Sequence, residues 1–146
     1  MSFTSTSYSP RLTHLALHVD DLDACINFYQ RYCQMVICHE RRSGSKRIVW
    51  MSEPGREQDF VFVIMGGGHR IDLPDGDYRH FGFAVESRER VDELAQLAKA
   101  DELLLWAPRE EPFPVGYYCG VLDPSGNQVE FSYGQPLGPG AEAHVE

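Results

Sequence analysis

His14, His80 and Glu130 are the side chains of this 146-residue chain whose types and spacing point to metal chemistry. Two imidazoles and one carboxylate that converge while leaving positions open form the facial set that suits Fe(II), and also Mn(II), Zn(II), Ni(II) or Co(II). Taken singly, each of the three reads as a packed or solvated residue. Their register gives them weight. The run His14-Leu-Ala-Leu-His-Val-Asp-Asp21 is echoed by His80-Phe-Gly-Phe-Ala-Val-Glu-Ser87, a shift of 80 − 14 = 66 residues, so the two histidines open the same element of a duplicated chain. Glu130 stands in the last apolar run, where Val129, Phe131 and Tyr133 alternate with Gln128, Glu130 and Ser132. Burying a carboxylate there costs several kcal/mol unless its charge is compensated, which predicts a positive partner. One divalent ion per chain is expected, with water at the open positions, and its binding releases protons because both imidazoles must be neutral.

Other polar residues fall near the same place. His18 shares a strand face with His14, two alternations along, which suits an outer donor or an acid-base residue as well as a plain polar filler. Tyr117 and Tyr118 precede the Asp123 turn, and by parity only one of them faces the cleft with its hydroxyl. His39 is a weaker candidate of the same kind. Gly66-Gly-Gly68 is followed neither by Lys-Ser/Thr nor by a helix, so it reads as a connector and not a phosphate loop.

The elements that must carry these residues follow from periodicity. Leu15, Leu17 and Val19 alternate with His14, Ala16 and His18, as Phe81, Phe83 and Val85 alternate with His80, Gly82 and Ala84. A helix follows each strand, capped by Asp20 or Asp21 in the first copy and Ser87 in the second. Leu22, Cys25, Ile26, Tyr29 and Cys33 make one apolar stripe, and Val91, Leu94, Ala95 and Ala98 the other, each suited to cover the greasy face of its own strand. Three strands follow each helix: Met35–Arg41, Lys46–Ser52 and Asp59–Met65, then Leu103–Ala107, Val115–Leu122 and Gln128–Tyr133. Asp123-Pro-Ser-Gly126 suits a type I turn closing the last hairpin. The fold class is therefore α+β, with β-α-β-β-β modules at 11–75 and 76–134, and terminal tails at 1–10 and 135–146.

Composition narrows the partners. With 13 basic and 22 acidic residues the formal charge is −9, which disfavours a nucleic-acid backbone. No apolar run approaches the roughly 20 residues of a membrane span. At this length a chain buries roughly 70% of its unfolded surface, so any metal is expected to be functional rather than a structural staple. Cys25, Cys33, Cys38 and Cys119 form no C-x-x-C pair and read as small core hydrophobes. Reduced thiols and a start without a secretory pattern predict a cytoplasmic location.

These motifs resemble the vicinal oxygen chelate superfamily of glyoxalases, bleomycin-resistance proteins and extradiol dioxygenases. The matching stretches are His14-Leu-Ala-Leu-His-Val-Asp-Asp-Leu-Asp23 with Phe28-Tyr29, then Tyr78-Arg-His-Phe-Gly-Phe-Ala-Val85, and Asp123-Pro-Ser-Gly-Asn-Gln-Val-Glu-Phe131, within a span from Leu12 to Tyr133. The resemblance implies two modules forming a cupped mixed sheet around a divalent metal that binds two adjacent substrate oxygens, with ligands at His14, His80 and Glu130. It also sets limits on the subfamily. Glyoxalase I carries a fourth ligand, a glutamate, whose position falls on Ile64 here. The tyrosine and histidine of the extradiol dioxygenases fall on Gly120 and within Glu111 to Phe113, and the potassium loop of the fosfomycin enzymes has no counterpart. Lyase, isomerase and dioxygenase chemistry thus stay open.

Two functions follow. The first is a metal-dependent enzyme acting on a small molecule with adjacent oxygens, such as an α-hydroxy carbonyl, a 2-oxo acid derivative or a catechol. The second is a metal-free protein of the bleomycin-resistance type that sequesters a small molecule or antibiotic in the same cup. A homodimer is expected in either case, because each module covers only one sheet face with its helix and leaves the other face and its edges for a partner.

Overall fold

Alternating apolar and polar residues after Thr13 build the first strand of a computed structural model that describes residues 9–139 and residue 141. The elements run β1 (His14–His18), α1 (Leu22–Cys33), β2 (Val36–Ser43), β3 (Lys46–Ser52), β4 (Val61–Met65), β5 (Phe81–Ala84), α2 (Arg88–Ala100), β6 (Leu104–Glu111), β7 (Gly116–Leu122) and β8 (Gln128–Tyr133). They form two four-stranded mixed sheets of identical topology, β1-β4-β3-β2 and β5-β8-β7-β6. The expected cupped sheet is thus two sheets, one per module. In each, the strand before the helix pairs in parallel with the last strand, His14 opposite Val61 and Phe81 opposite Val129. The helical crossover makes that parallel pair possible.

Three boundaries differ from expectation. Strand β6 continues past Ala107 to Glu111. It is an edge strand, where Pro108 removes no ladder bond that matters, and the register shifts between Trp106 and Arg109 before pairing resumes. Strand β2 continues to Ser43 across its hairpin partner Lys46. Strand β5 begins at Phe81, so His80 lies just before it rather than within it.

Asp21, rather than Asp20, caps α1 by accepting from Ala24 N at 3.0 Å, and Ser87 caps α2 by accepting from Arg90 N at 3.1 Å. Helix α2 buries Val91, Leu94, Ala95 and Ala98 as its stripe predicts. Helix α1 buries more than its predicted stripe, because Phe28 and Tyr32 are also inside. The reason is that α1 serves both modules. Tyr29 meets Phe62 of β4 at 5.5 Å and Phe81 of β5 at 6.4 Å, and Tyr32 stacks 6.3 Å from Phe131 of β8. Cys25 and Cys119 are buried in this core, which pushes both thiols up to about 12, and Cys38 departs from expectation by lying exposed on β2. No helix among the described residues is long and apolar enough to cross a membrane.

Polar contacts also join the modules. Asp101, at the end of α2, accepts from Tyr32 Oη at 2.6 Å and from Arg31 at 3.1 Å. These bonds hold the Asp101 carboxyl below its ordinary value of 3.8, the tyrosine contact contributing most. Its folded value is depressed, so the unfolded chain binds more protons between the two values and stability rises with pH there. This contribution should be present above pH 3.8 and lost as pH falls through the lower folded value. Urea unfolding at pH 7 and pH 3 should show a smaller pH difference for Asp101→Asn than for the wild type. An identical difference in both would remove Asp101 from the acid limb.

Candidate metal centre

Glu130 stands in the middle of the second sheet between two glycines, Gly82 on β5 and Gly120 on β7. The absence of side chains on both flanks opens room around the carboxylate. Gly120 is obligatory, since a Cβ there would fall 2.1 Å from the Trp106 ring lying across it. The alternation of β8 turns Val129 and Phe131 into the core and Glu130 to the opposite face. That face carries the site.

His80 supplies the compensating group that the buried glutamate required. Its Nε2 lies 3.6 Å from Glu130 Oε1, and its Nδ1 lies 2.6 Å from the Tyr78 carbonyl. A carbonyl only accepts, so Nδ1 carries the hydrogen and Nε2 turns its lone pair toward the carboxylate. The Glu130 side chain is 12% exposed. Burial raises its pKa, opposed by the charge of His80 and by a 3.4 Å hydrogen bond from Gln135 Nε2 to Oε2. The pair fits a divalent ion. Donors about 2.0–2.2 Å from one centre at ordinary ligand angles sit roughly 3.0–3.5 Å apart, close to the observed separation. A histidine ligand whose other nitrogen donates to a carbonyl is the usual outer support.

His14 occupies the equivalent face of the first sheet, exposed on β1, with Thr13 Oγ1 3.0 Å from its Nδ1. It lines a recess of about 220 Å³ beside Trp50 and Val63. Within one chain it is not gathered with His80 and Glu130: among the described residues no three His, Cys, Asp or Glu side chains come together as an ion would need. His18 is at the far end of β1, four residues from His14 and so about 13 Å along the strand, and it packs against Gly68 of the connector. Strand parity separates the tyrosines as expected. Tyr118 shares the Glu130 face, its hydroxyl accepting from Arg109 Nε at 2.8 Å. Tyr117 turns to the helix side and donates to Asp92 at 2.5 Å, under the Arg88 guanidinium.

Four residues of this face were not singled out by the sequence reading: Tyr78, Trp106, Arg109 and Gln135. Gln135 belongs to a segment expected to be a free tail, but residues 134–139 follow β8 back over the site, with Gly138 against Ala84. Trp106 meets His80 edge to face at 5.9 Å and Tyr78 at 6.1 Å. Only the pairing of Trp106 with Gly120 reveals this, and that register is not written in local sequence.

Comparisons with known proteins place this geometry. A family model described as the Glyoxalase/Bleomycin resistance protein/Dioxygenase superfamily matches residues 11–131. The uncharacterized protein PA2024 of Pseudomonas aeruginosa is 64% identical over 135 residues, covering 92% of this chain and 96% of its own. Among solved structures, a glyoxylase/bleomycin resistance protein/dioxygenase domain from Frankia sp. EAN1pec superposes with a TM-score of 0.68 at 22% identity, covering 88% of this chain and all of that one (100%). A mutant of the fosfomycin resistance protein FosX from Listeria monocytogenes, complexed with Mn(II) and dihydroxypropylphosphonic acid, superposes with a TM-score of 0.68 at 21% identity, covering 88% and 95% of the two chains. At those identities the structures establish the fold. Together with the duplicated β-α-β-β-β topology, the match across 11–131 shows that the chain belongs to the Glyoxalase/Bleomycin resistance protein/Dioxygenase superfamily.

Proposed function

We infer that the protein is a metal-dependent enzyme acting on a small molecule with two adjacent oxygens, its ion held by His80 and Glu130 of one chain and His14 of a second. The observation that carries this reading is the buried His80–Glu130 pair, 3.6 Å apart, with the Tyr78 carbonyl fixing the imidazole tautomer. A divalent ion bound there supplies Lewis acidity to both substrate oxygens. The chain's own residues do the rest. His80 presents its lone pair without first losing a proton, because its hydrogen is already on Nδ1. Glu130 sits where burial favours its neutral form, so it gives up a proton when a cation arrives, and the affinity falls as the medium is acidified. Tyr118, accepting from Arg109, keeps its own hydroxyl hydrogen to donate to a substrate oxygen. The aromatic wall of Trp106 and Tyr78 limits water at His80.

Elemental analysis of protein purified without a histidine tag tests the reading. The wild type should carry about one equivalent per chain, and His80→Ala and Glu130→Ala should each weaken binding by more than about 100-fold, beyond the range of outer-shell changes. Wild-type stoichiometry in both variants would sink the assignment. A wild type that takes no divalent metal would favour the sequestering function instead.

Gln135 gives a finer test. Its hydrogen bond orients Oε2, so Gln135→Ala should loosen metal binding about 10-fold while the metal-free protein melts as before. Affinity equal to wild type would make that contact incidental.

A further inference from the structure

The second sheet carries more on its Glu130 face than two ligands. Arg109 lies on β6, opposite Tyr118, while Trp106 lies opposite Gly120. Their spacing is odd, 109 − 106 = 3, so in a regular strand they would point to opposite faces. The register irregularity between them inserts one extra residue and returns Arg109 to the face of Trp106. Bulges that re-aim a side chain are concentrated beside active sites. Here the result is a row across the sheet: the His80–Glu130 corner, then the Trp106 ring over Gly120, then Arg109 beside Tyr118.

Resting on the metal-centre reading, we propose that Trp106, Tyr118 and Arg109 form a subsite for a flat ring bearing a carboxylate, so that the substrate class is ring compounds with two adjacent oxygens at one end and a carboxylate at the other. The guanidinium is held at Nε, by Tyr118 Oη at 2.8 Å and by Glu111 at 3.5 Å. No hydrogen bond to Nη1 or Nη2 is made by the described residues, so the fork that matches a carboxylate with two parallel bonds remains presented. The Arg109–Glu111 pair is largely exposed and too weak to cancel the charge. In a chain of formal charge −9, an arginine turned onto this face by a bulge is a selective feature. Size follows from the sheet. Adjacent strands are about 4.8 Å apart, which puts β6 about 10 Å from β8, and side chains leaning inward from both ends shorten the gap to about 6–8 Å, one substituted six-membered ring. The half-buried Trp106 ring supplies a flat apolar wall for it.

The test compares 3,4-dihydroxybenzoate with catechol on the full chain loaded with Zn(II), which has no redox chemistry, by calorimetry and tryptophan quenching. Wild type should bind 3,4-dihydroxybenzoate at least 10-fold more tightly than catechol. Arg109→Gln should bring the ratio to about one at unchanged metal content, and Arg109→Lys, lacking the fork, should restore only part of it. Equal affinities in the wild type, a preference that survives Arg109→Gln, or no binding of either compound to metal-loaded protein would overturn the proposal. Metal content of the same samples keeps the two readings apart. If no metal binds, the metal-centre reading fails, and 4-hydroxybenzoate against phenol on the metal-free chain decides the subsite by the same Arg109→Gln criterion.

Discussion

Asp123→Ala is expected to destabilise the protein by about 3–5 kcal/mol, the cost of stranding several buried partners at once. Asp123 is fully buried, 0% exposed. Its Oδ1 accepts from Ser125 N at 2.8 Å and Asn127 N at 2.9 Å, and its Oδ2 from Asn127 Nδ2 at 2.9 Å and Tyr29 Oη at 2.7 Å. Three of these bonds shape the turn between β7 and β8, and the fourth comes from α1 in the other module. Alanine leaves all four donors without that acceptor in a dry interior. At this chain length the loss corresponds to a melting temperature lower by about 10–15 °C. Tyr29→Phe removes only the inter-module bond and should cost about 1.5–3 kcal/mol, as for a hydrogen bond to a charged group. Urea unfolding midpoints give both values. A loss below about 1 kcal/mol for Asp123→Ala would mean that water or rearranged neighbours replace the carboxyl, and the turn would lose its role as the tie between modules.

Complementation between two metal-dead variants has the next largest expected effect. His14→Ala and Glu130→Ala should each abolish tight metal binding, because each removes one of three ligands. Mixed, unfolded and refolded together in equal amounts, they should recover about one quarter of wild-type sites. Random pairing makes half of the dimers mixed, and in each mixed dimer one of two sites regains all three ligands. The motive is that His80 and Glu130 meet in one chain while His14 lies on the other sheet, outside any three-residue group. Metal titration of the refolded mixture measures the recovered fraction. No recovery, with both parents shown by sedimentation to be folded dimers, would place the full ligand set within one chain.

Much of this organisation was legible before the structure. The repeat at a shift of 80 − 14 = 66 residues and the alternation of Leu15, Leu17, Phe81 and Phe83 specified two equivalent modules, because a strand with one greasy face has only one way to orient. The same alternation assigned Glu130 to the polar side of β8, and its apolar neighbours demanded a positive partner, which is His80 at 3.6 Å. Asp123-Pro-Ser-Gly126 announced its turn through local chemistry, and Gly126 N bonds Asp123 O at 3.0 Å. Tertiary packing decided the remainder. That α1 belongs to both modules depends on Phe131 and Asp123, roughly a hundred residues away in sequence, and no local period encodes such a contact. Arg109 faces the site only because one irregularity reverses the parity that sequence alone implies. Gln135, in a segment whose composition reads as a tail, is docked by a neighbouring buried carboxylate that needs a donor. Residues whose placement follows from a two-residue period were readable, whereas those placed by cross-strand register, a bulge or a docked terminus depend on partners distant in sequence.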